Sequence, residues 1–95
     1  MSMIDAYIGK MNAQLAELKA EIEVLKAKAM KAHADTRIRY EKEIAELEKM
    51  RDDLQKQLDI MVQKGEKAFD ELKGGADSAM KEMKTAVERA IGQLK

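Results

Sequence analysis

Apolar side chains recur between residues 4 and 72 at steps that alternate between three and four. Alternating steps of this kind are the a and d positions of a heptad, and they place the side chains along one side of a helix. We call these residues the apolar stripe, and they predict an all-α coiled coil. The stripe comprises Ile4, Ile8, Met11, Leu15, Leu18, Ile22, Leu25, Ile44, Leu47, Leu54, Leu58, Met61 and Leu72.

The second half of the stripe contains two weak positions. Its three- and four-residue steps also pass through Arg51 and Gly65, neither of which offers a large apolar side chain. The spacing nevertheless continues through both residues to Ala68 and Leu72. The heptad pattern therefore predicts a helix that continues through Gly65.

Two arrangements of residues 3–73 are open. No Gly or Pro occurs between Asn12 and Lys64, so the favoured prediction is one helix over about 3–73, roughly 105 Å long at 1.5 Å per residue. The alternative is an antiparallel hairpin with its turn near 33–36, where Asp35 or Thr36 would begin the second helix. A local break in the heptad before Tyr40 favours this hairpin.

The pair Gly74-Gly75 predicts an end of the first unit, because glycine is costly inside a helix and common just after one. The predicted organisation is a coiled-coil unit over 1–73, a glycine hinge over 74–77 and a short amphipathic helix over 78–95. Phe69, just before the hinge, would anchor that short helix if it folds back.

The C-terminal third carries an eleven-residue repeat. Ala68-Phe69 recurs as Ala79-Met80 and as Ala90-Ile91, and this period gives a nearly straight apolar strip. Such strips also occur in helices that lie on lipid surfaces. A candidate face for lipid or a protein partner follows from it: Met80, Met83, Val87, Ile91 and Leu94.

Charge is balanced overall but unevenly distributed. The 95 residues contain 18 basic and 18 acidic side chains, yet residues 26–42 carry six basic and two acidic ones. Acidic neighbours and the scarcity of stacking aromatics argue against nucleic-acid binding by the basic block, whose cations include Lys26, Lys28, Lys31, Arg37 and Arg39. We expect a solvated face there.

Candidate chemistry is sparse. The chain has one His and no Cys, so neither a thiolate nor a histidine-based metal centre is expected. Gly74-Gly75 lacks the Lys-Ser/Thr that completes a phosphate-binding loop. The sequence predicts no catalytic residue, cofactor, metal or small-molecule substrate, and hence no enzyme.

The location and partners follow from the apolar pattern. No apolar run approaches the roughly 20 residues of a membrane span, and no secretory leader is recognisable, so a cytoplasmic location is expected. An amphipathic helix is stabilised mainly by packing its apolar side. The stripe therefore predicts a homo-oligomer, from dimer to tetramer, that acts as a scaffold or spacer. The alternative is weak binding to a membrane surface through the C-terminal repeats.

Several segments resemble a family of small bacterial coiled-coil proteins of uncharacterised function. They include Met11-Asn-Ala-Gln-Leu15, Tyr40-Glu-Lys-Glu-Ile44 and Ala68-Phe69-x-x-Leu72. The resemblance implies a bacterial cytoplasmic helical protein, with a stress-related interaction role and no active site. Trp often occupies the positions that Phe69 and Met80 hold here, so this chain departs from the family at its aromatic positions.

Overall fold

The structure is a computed structural model that describes residues 3–93, and this part of the chain contains three helices and no strand. Helix α1 spans Met3–Met30, α2 spans Ala34–Lys64 and α3 spans Glu66–Gln93. Helices of 28 to 31 residues are about 42 to 47 Å long. The described chain measures 48 × 19 × 17 Å, so the helices lie side by side. The all-α prediction is confirmed, and the architecture is a three-helix bundle.

The helices alternate in direction. Lys26 near the end of α1 forms an ion pair with Glu48 of α2 at 2.8 Å, whereas Ile4 and Ile8 at its start share a groove with Met61 and Val62. Helices α1 and α2 are therefore antiparallel. Tyr7, also near the start of α1, bonds Asp77 in the first half of α3, and Glu21, further along α1, shares a groove with Glu88 near the end of α3. Helices α1 and α3 are therefore parallel.

All three helices contribute one apolar side to a single core. The buried side chains of the described residues are entirely hydrophobic. Burying a Leu, Ile, Val or Met side chain contributes about 1.5–3 kcal/mol, which is the main force holding such a bundle together. The largest fully buried side chains are Leu15, Ile22, Leu25, Leu54, Leu58, Met61, Met83 and Val87.

The prediction of one helix over 3–73 is wrong, because the chain turns at residues 31–33. The N–H groups of Lys31 and Ala32 tighten the end of α1 by donating to the carbonyls of Lys28 and Ala29, both at 3.1 Å. His33 then adopts an ordinary extended conformation, with φ −60° and ψ 154°. This turn needs no glycine, and helix propensity near it is worth only tenths of a kcal/mol per residue. Packing two apolar sides together outweighs that preference.

The start of α2 also differs from the sequence prediction. The hairpin alternative placed its turn near 33–36, but α2 already begins at Ala34, and Asp35 lies in its first turn. The residue that precedes the helix is His33, whose side chain forms no capping hydrogen bond. The backbone closes the first turn instead, because the Arg37 N–H donates to the His33 carbonyl at 2.8 Å.

The predicted glycine hinge over 74–77 and the separate short helix over 78–95 are wrong. Gly74 and Gly75 lie inside α3, which has 28 residues and runs without interruption from Glu66 to Gln93. Each glycine costs about 1 kcal/mol relative to alanine within a helix. Burial on both sides of the pair, at Phe69 and Met80 for example, outweighs that cost.

The break occurs at Gly65, which alone connects α2 to α3. Its φ of 79° and ψ of −150° lie in a region that is essentially restricted to glycine. The Gly65 N–H donates to the Met61 carbonyl at 3.0 Å, and its own carbonyl accepts from the Phe69 N–H at 3.0 Å. One residue thus completes the last turn of α2 and begins the first turn of α3.

Candidate functional site

The principal polar and aromatic contact between α1 and α3 is made by four residues that we call the Tyr7 cluster: Tyr7, Phe69, Lys73 and Asp77. The three residues from α3 are spaced by four, so they lie on one side of that helix. The Tyr7 and Phe69 rings meet edge to face, with centroids 5.2 Å apart and an interplanar angle of 78°. The Tyr7 hydroxyl donates to Asp77 Oδ1 at 2.7 Å.

Lys73 covers the open side of both rings. Its Nζ lies 5.5 Å from the Phe69 centroid and 5.9 Å from the Tyr7 centroid, within the range of a cation–π attraction. One lysine thus lies over the negative faces of both rings. The cluster ties the first third of α1 to α3 close to the Gly65 turn.

The electrostatic environment keeps the Tyr7 phenol protonated. Partial burial raises the pKa of Tyr7 well above its ordinary value, and the hydrogen bond to Asp77 and the charge of that carboxylate raise it further. A phenol with a raised pKa is a hydrogen-bond donor at neutral pH and not a nucleophile. The cluster therefore serves to hold two helices together.

Tyr7→Phe should lower the free energy of unfolding by about 1 kcal/mol, since it removes the hydroxyl that donates to Asp77 at 2.7 Å and more weakly to the Lys73 carbonyl at 3.4 Å, and keeps the ring contact with Phe69. Asp77→Asn is the matched control, because an amide oxygen still accepts from the hydroxyl. Urea denaturation of both variants checks this. Equal stability of wild type and Tyr7→Phe would show that the bond contributes nothing.

The raised pKa also predicts a pH dependence. A phenol whose pKa is higher in the folded state stabilises that state below its unfolded pKa of about 10. This contribution is lost as pH rises from there towards the folded pKa. We therefore expect the stability of wild type to fall in alkaline solution more steeply than that of Tyr7→Phe, as measured by urea denaturation at a series of pH values.

The structure places the apolar stripe inside the single chain. Ile4, Ile8 and Leu72 are partly buried against the core. The remaining stripe residues are buried: Met11, Leu15, Leu18, Ile22, Leu25, Ile44, Leu47, Leu54, Leu58 and Met61. The stripe predicts an oligomer because its apolar side chains must be buried. In the bundle, the other helices of the same chain bury them.

The predicted lipid or partner face is also largely internal. Met80, Met83 and Val87 are buried in the core, and Ile91 is partly buried against it. Leu94 lies outside the described residues. Access to this face would require α3 to leave α1 and α2.

The turn between α1 and α2 exposes two apolar side chains that the stripe did not predict. Met30 is 69% exposed and Ile38 is 68% exposed. They lie within the basic block of residues 26–42, in which Lys26 is paired with Glu23 and Glu48 and Arg37 with Glu41. We call this end of the bundle the basic tip. The feature of the sequence that could have indicated this exposed site is Ile38, because it does not fall on the heptad spacing.

The ion pairs of the basic tip are exposed to solvent. Lys26 donates hydrogen bonds to the carboxylates of Glu48 and Glu23, and these bonds, the one to Glu48 first, raise the pKa of Lys26. The side chain therefore stays positively charged. Exposed pairs of this kind contribute little to stability. They reduce the positive charge that the tip offers to a partner without removing it.

Two other classes of site are absent from the described part of the chain. Residues 3–93 contain no group of three or more His, Cys, Asp or Glu side chains that could hold a metal ion. None of the described helices is long and apolar enough to cross a membrane. No family model, curated protein or solved structure matches the chain. The fold defines the class of this protein, which is a three-helix bundle.

Proposed function

We propose that the chain is a non-enzymatic structural protein that assembles with further copies of itself and serves as a scaffold or spacer. The observation that supports this is the phase of the apolar sides of α2 and α3. Leu47 and Met83, both buried, are 36 residues apart, which is ten turns of an ideal helix. The same offset relates Met11 of α1 to Leu47, so the common phase extends over all three helices. Between α2 and α3 it is interrupted by a single residue.

The common phase matters because only Gly65 separates the two helices. If Gly65 became helical, residues 34–93 would form one helix of about 90 Å with its apolar residues on one side. Helix α1 has 28 residues and covers less than half of that length. The uncovered remainder of the apolar side would have to pack against a second copy of the chain.

Sedimentation equilibrium over a wide concentration range tests this proposal. We expect the monomer at low concentration and a dimer or larger assembly as the concentration rises. The frictional ratio of the assembly, measured by sedimentation velocity, should exceed that of the monomer, because a spacer is elongated. A monomer mass at every concentration would refute self-assembly.

A second candidate function is binding to an anionic lipid surface, and the basic tip favours it. Residues 26–42 carry six basic and two acidic side chains, and this net charge of +4 would be attracted to anionic headgroups by about 1 kcal/mol per net charge near the surface. The exposed Met30 and Ile38 would then enter the headgroup boundary. This site differs from the α3 face and leaves the bundle closed.

Vesicle sedimentation tests the lipid candidate. Wild type should bind phosphatidylserine vesicles more strongly than phosphatidylcholine vesicles, and Ile38→Ser should weaken that binding. Val62→Ser is the matched control, because Val62 is 64% exposed at the opposite end of the bundle. Equal binding to both kinds of vesicle, or equal effects of the two substitutions, would refute the basic tip as the lipid site.

A further inference from the structure

We infer that two copies of this chain assemble by exchanging α3, so that Gly65 straightens and α3 of each copy packs on α1 and α2 of the other. This inference rests on the proposed self-assembly and specifies its mechanism. The product is a two-fold dimer whose central element is a pair of antiparallel helices, each spanning residues 34–93. The partner is a second copy of this chain.

The backbone at Gly65 shows how small the required change is. Its N–H and carbonyl already form the bonds to Met61 and Phe69 that they would form in a continuous helix. Only its φ and ψ angles must move, from 79° and −150° to helical values. Straightening would also allow the N–H groups of Glu66, Lys67 and Ala68 to donate to carbonyls of the last turn of α2.

The exchange preserves the packing of the closed monomer. Because α2 and α3 are antiparallel in the monomer, α3 of one copy can lie along α2 of the other in the same orientation. Tyr7 of one copy would bond Asp77 of the second copy, and Met83 would enter the core of that copy. The closed and exchanged forms therefore share their core contacts, and the conformation of Gly65 together with the concentration decides between them.

The turn is short, which favours exchange. A connection of one residue holds two helices of 31 and 28 residues at a sharp reversal, and short hinge loops promote domain swapping. The closed form depends on glycine, because other residues rarely adopt its backbone angles. Any substitution by a good helix former should therefore favour the exchanged form.

Gly65→Ala is the principal test. A Cβ at this position meets no atom within 4 Å, so the effect of the substitution comes from the backbone and not from a clash. Alanine disfavours the closed turn and favours the straight helix. Together these two effects shift the equilibrium between the two conformations about tenfold at each hinge. Because a dimer has two hinges, we expect the dimer dissociation constant to fall on the order of a hundredfold.

Gly75→Ala is the matched control. Gly75 lies within α3 in both forms, and a Cβ there also meets no atom within 4 Å. The control should stabilise α3 in the monomer and the dimer equally, so the dissociation constant should not change. Sedimentation equilibrium of the three proteins measures this. An unchanged dissociation constant for Gly65→Ala, or equal changes for both variants, would overturn the exchange.

A longer turn provides a test that does not depend on the folding of Gly65→Ala. Insertion of Gly-Gly-Ser after Gly65 relaxes the reversal and interrupts the continuous helix, so it should favour the monomer. We expect this variant to remain monomeric at concentrations where wild type forms the dimer. Dimerisation equal to that of wild type would contradict exchange at this hinge.

Cross-linking distinguishes exchange from other modes of self-association. The chain has no Cys, so Tyr7→Cys and Asp77→Cys can be made in separate copies, mixed in the Gly65→Ala background and treated with a short bismaleimide. Exchange predicts a covalent dimer in the mixture and not in either variant alone. A dimer by mass without this cross-link would overturn exchange and leave self-assembly standing. A monomer mass for wild type at all concentrations would refute the proposed function itself.

Discussion

Met83→Asp is expected to destabilise the bundle strongly. Met83 has 0% exposure and lies in the half of α3 that follows the two adjacent glycines. An unpaired carboxylate left uncompensated in an apolar core costs about 3–5 kcal/mol. A domain of 95 residues has about 5–14 kcal/mol of total stability. The substitution therefore removes a large share of that stability.

Circular dichroism during thermal unfolding measures the effect of Met83→Asp. Thr85→Asp is the matched control, because Thr85 lies two residues further along α3 and is exposed. The control should retain a cooperative transition close to that of wild type. If Met83→Asp also retained the helicity and transition of wild type, α3 would be a separate helix outside the core, as the sequence alone had suggested.

Leu25→Ala is expected to lower the free energy of unfolding by about 2–5 kcal/mol. Leu25 has 0% exposure, so its truncation removes apolar burial and leaves a cavity between the helices. The adjacent Val24 is 50% exposed and provides the control, since Val24→Ala removes little burial and adds a better helix former.

Urea denaturation of this pair tests the orientation of α1. We expect the urea concentration at the unfolding midpoint to fall strongly for Leu25→Ala and little for Val24→Ala. Equal losses for the two variants would mean that α1 does not present the stripe to the core.

The stripe shows what the sequence could predict. Leu25 falls on the heptad spacing and Val24 does not, and the structure buries the first and exposes the second. The all-α class follows from the same periodicity. Periodicity shows which side of a helix is apolar, but it does not show which helix packs against that side. A helix of a second copy and another helix of the same chain could bury the apolar side equally well.

The turns could not be located from local signals. The turn at residues 31–33 uses ordinary backbone angles and no glycine, so it leaves no mark in the composition. Gly74-Gly75 is the stronger local signal for a break, yet burial on both sides keeps it helical. Gly65 was the weaker signal, because it occupies a position of the heptad spacing. Tertiary packing decides among such sites.

The contacts of the Tyr7 cluster could not be predicted from the sequence. Tyr7 and Asp77 are 70 positions apart, and no local pattern pairs them. The spacing of Phe69, Lys73 and Asp77 predicts that they lie on one side of a helix. Their contact with α1 depends on the direction of α3, which the spacing does not give.

Small-angle X-ray scattering of the dilute chain tests directly whether one chain folds its three helices on one another. We expect a monomer with a radius of gyration close to 15.2 Å and a longest dimension close to 48 Å. A single helix over residues 3–73 would scatter as a rod of about 105 Å. Such a rod at monomer or oligomer mass in dilute solution would contradict the bundle.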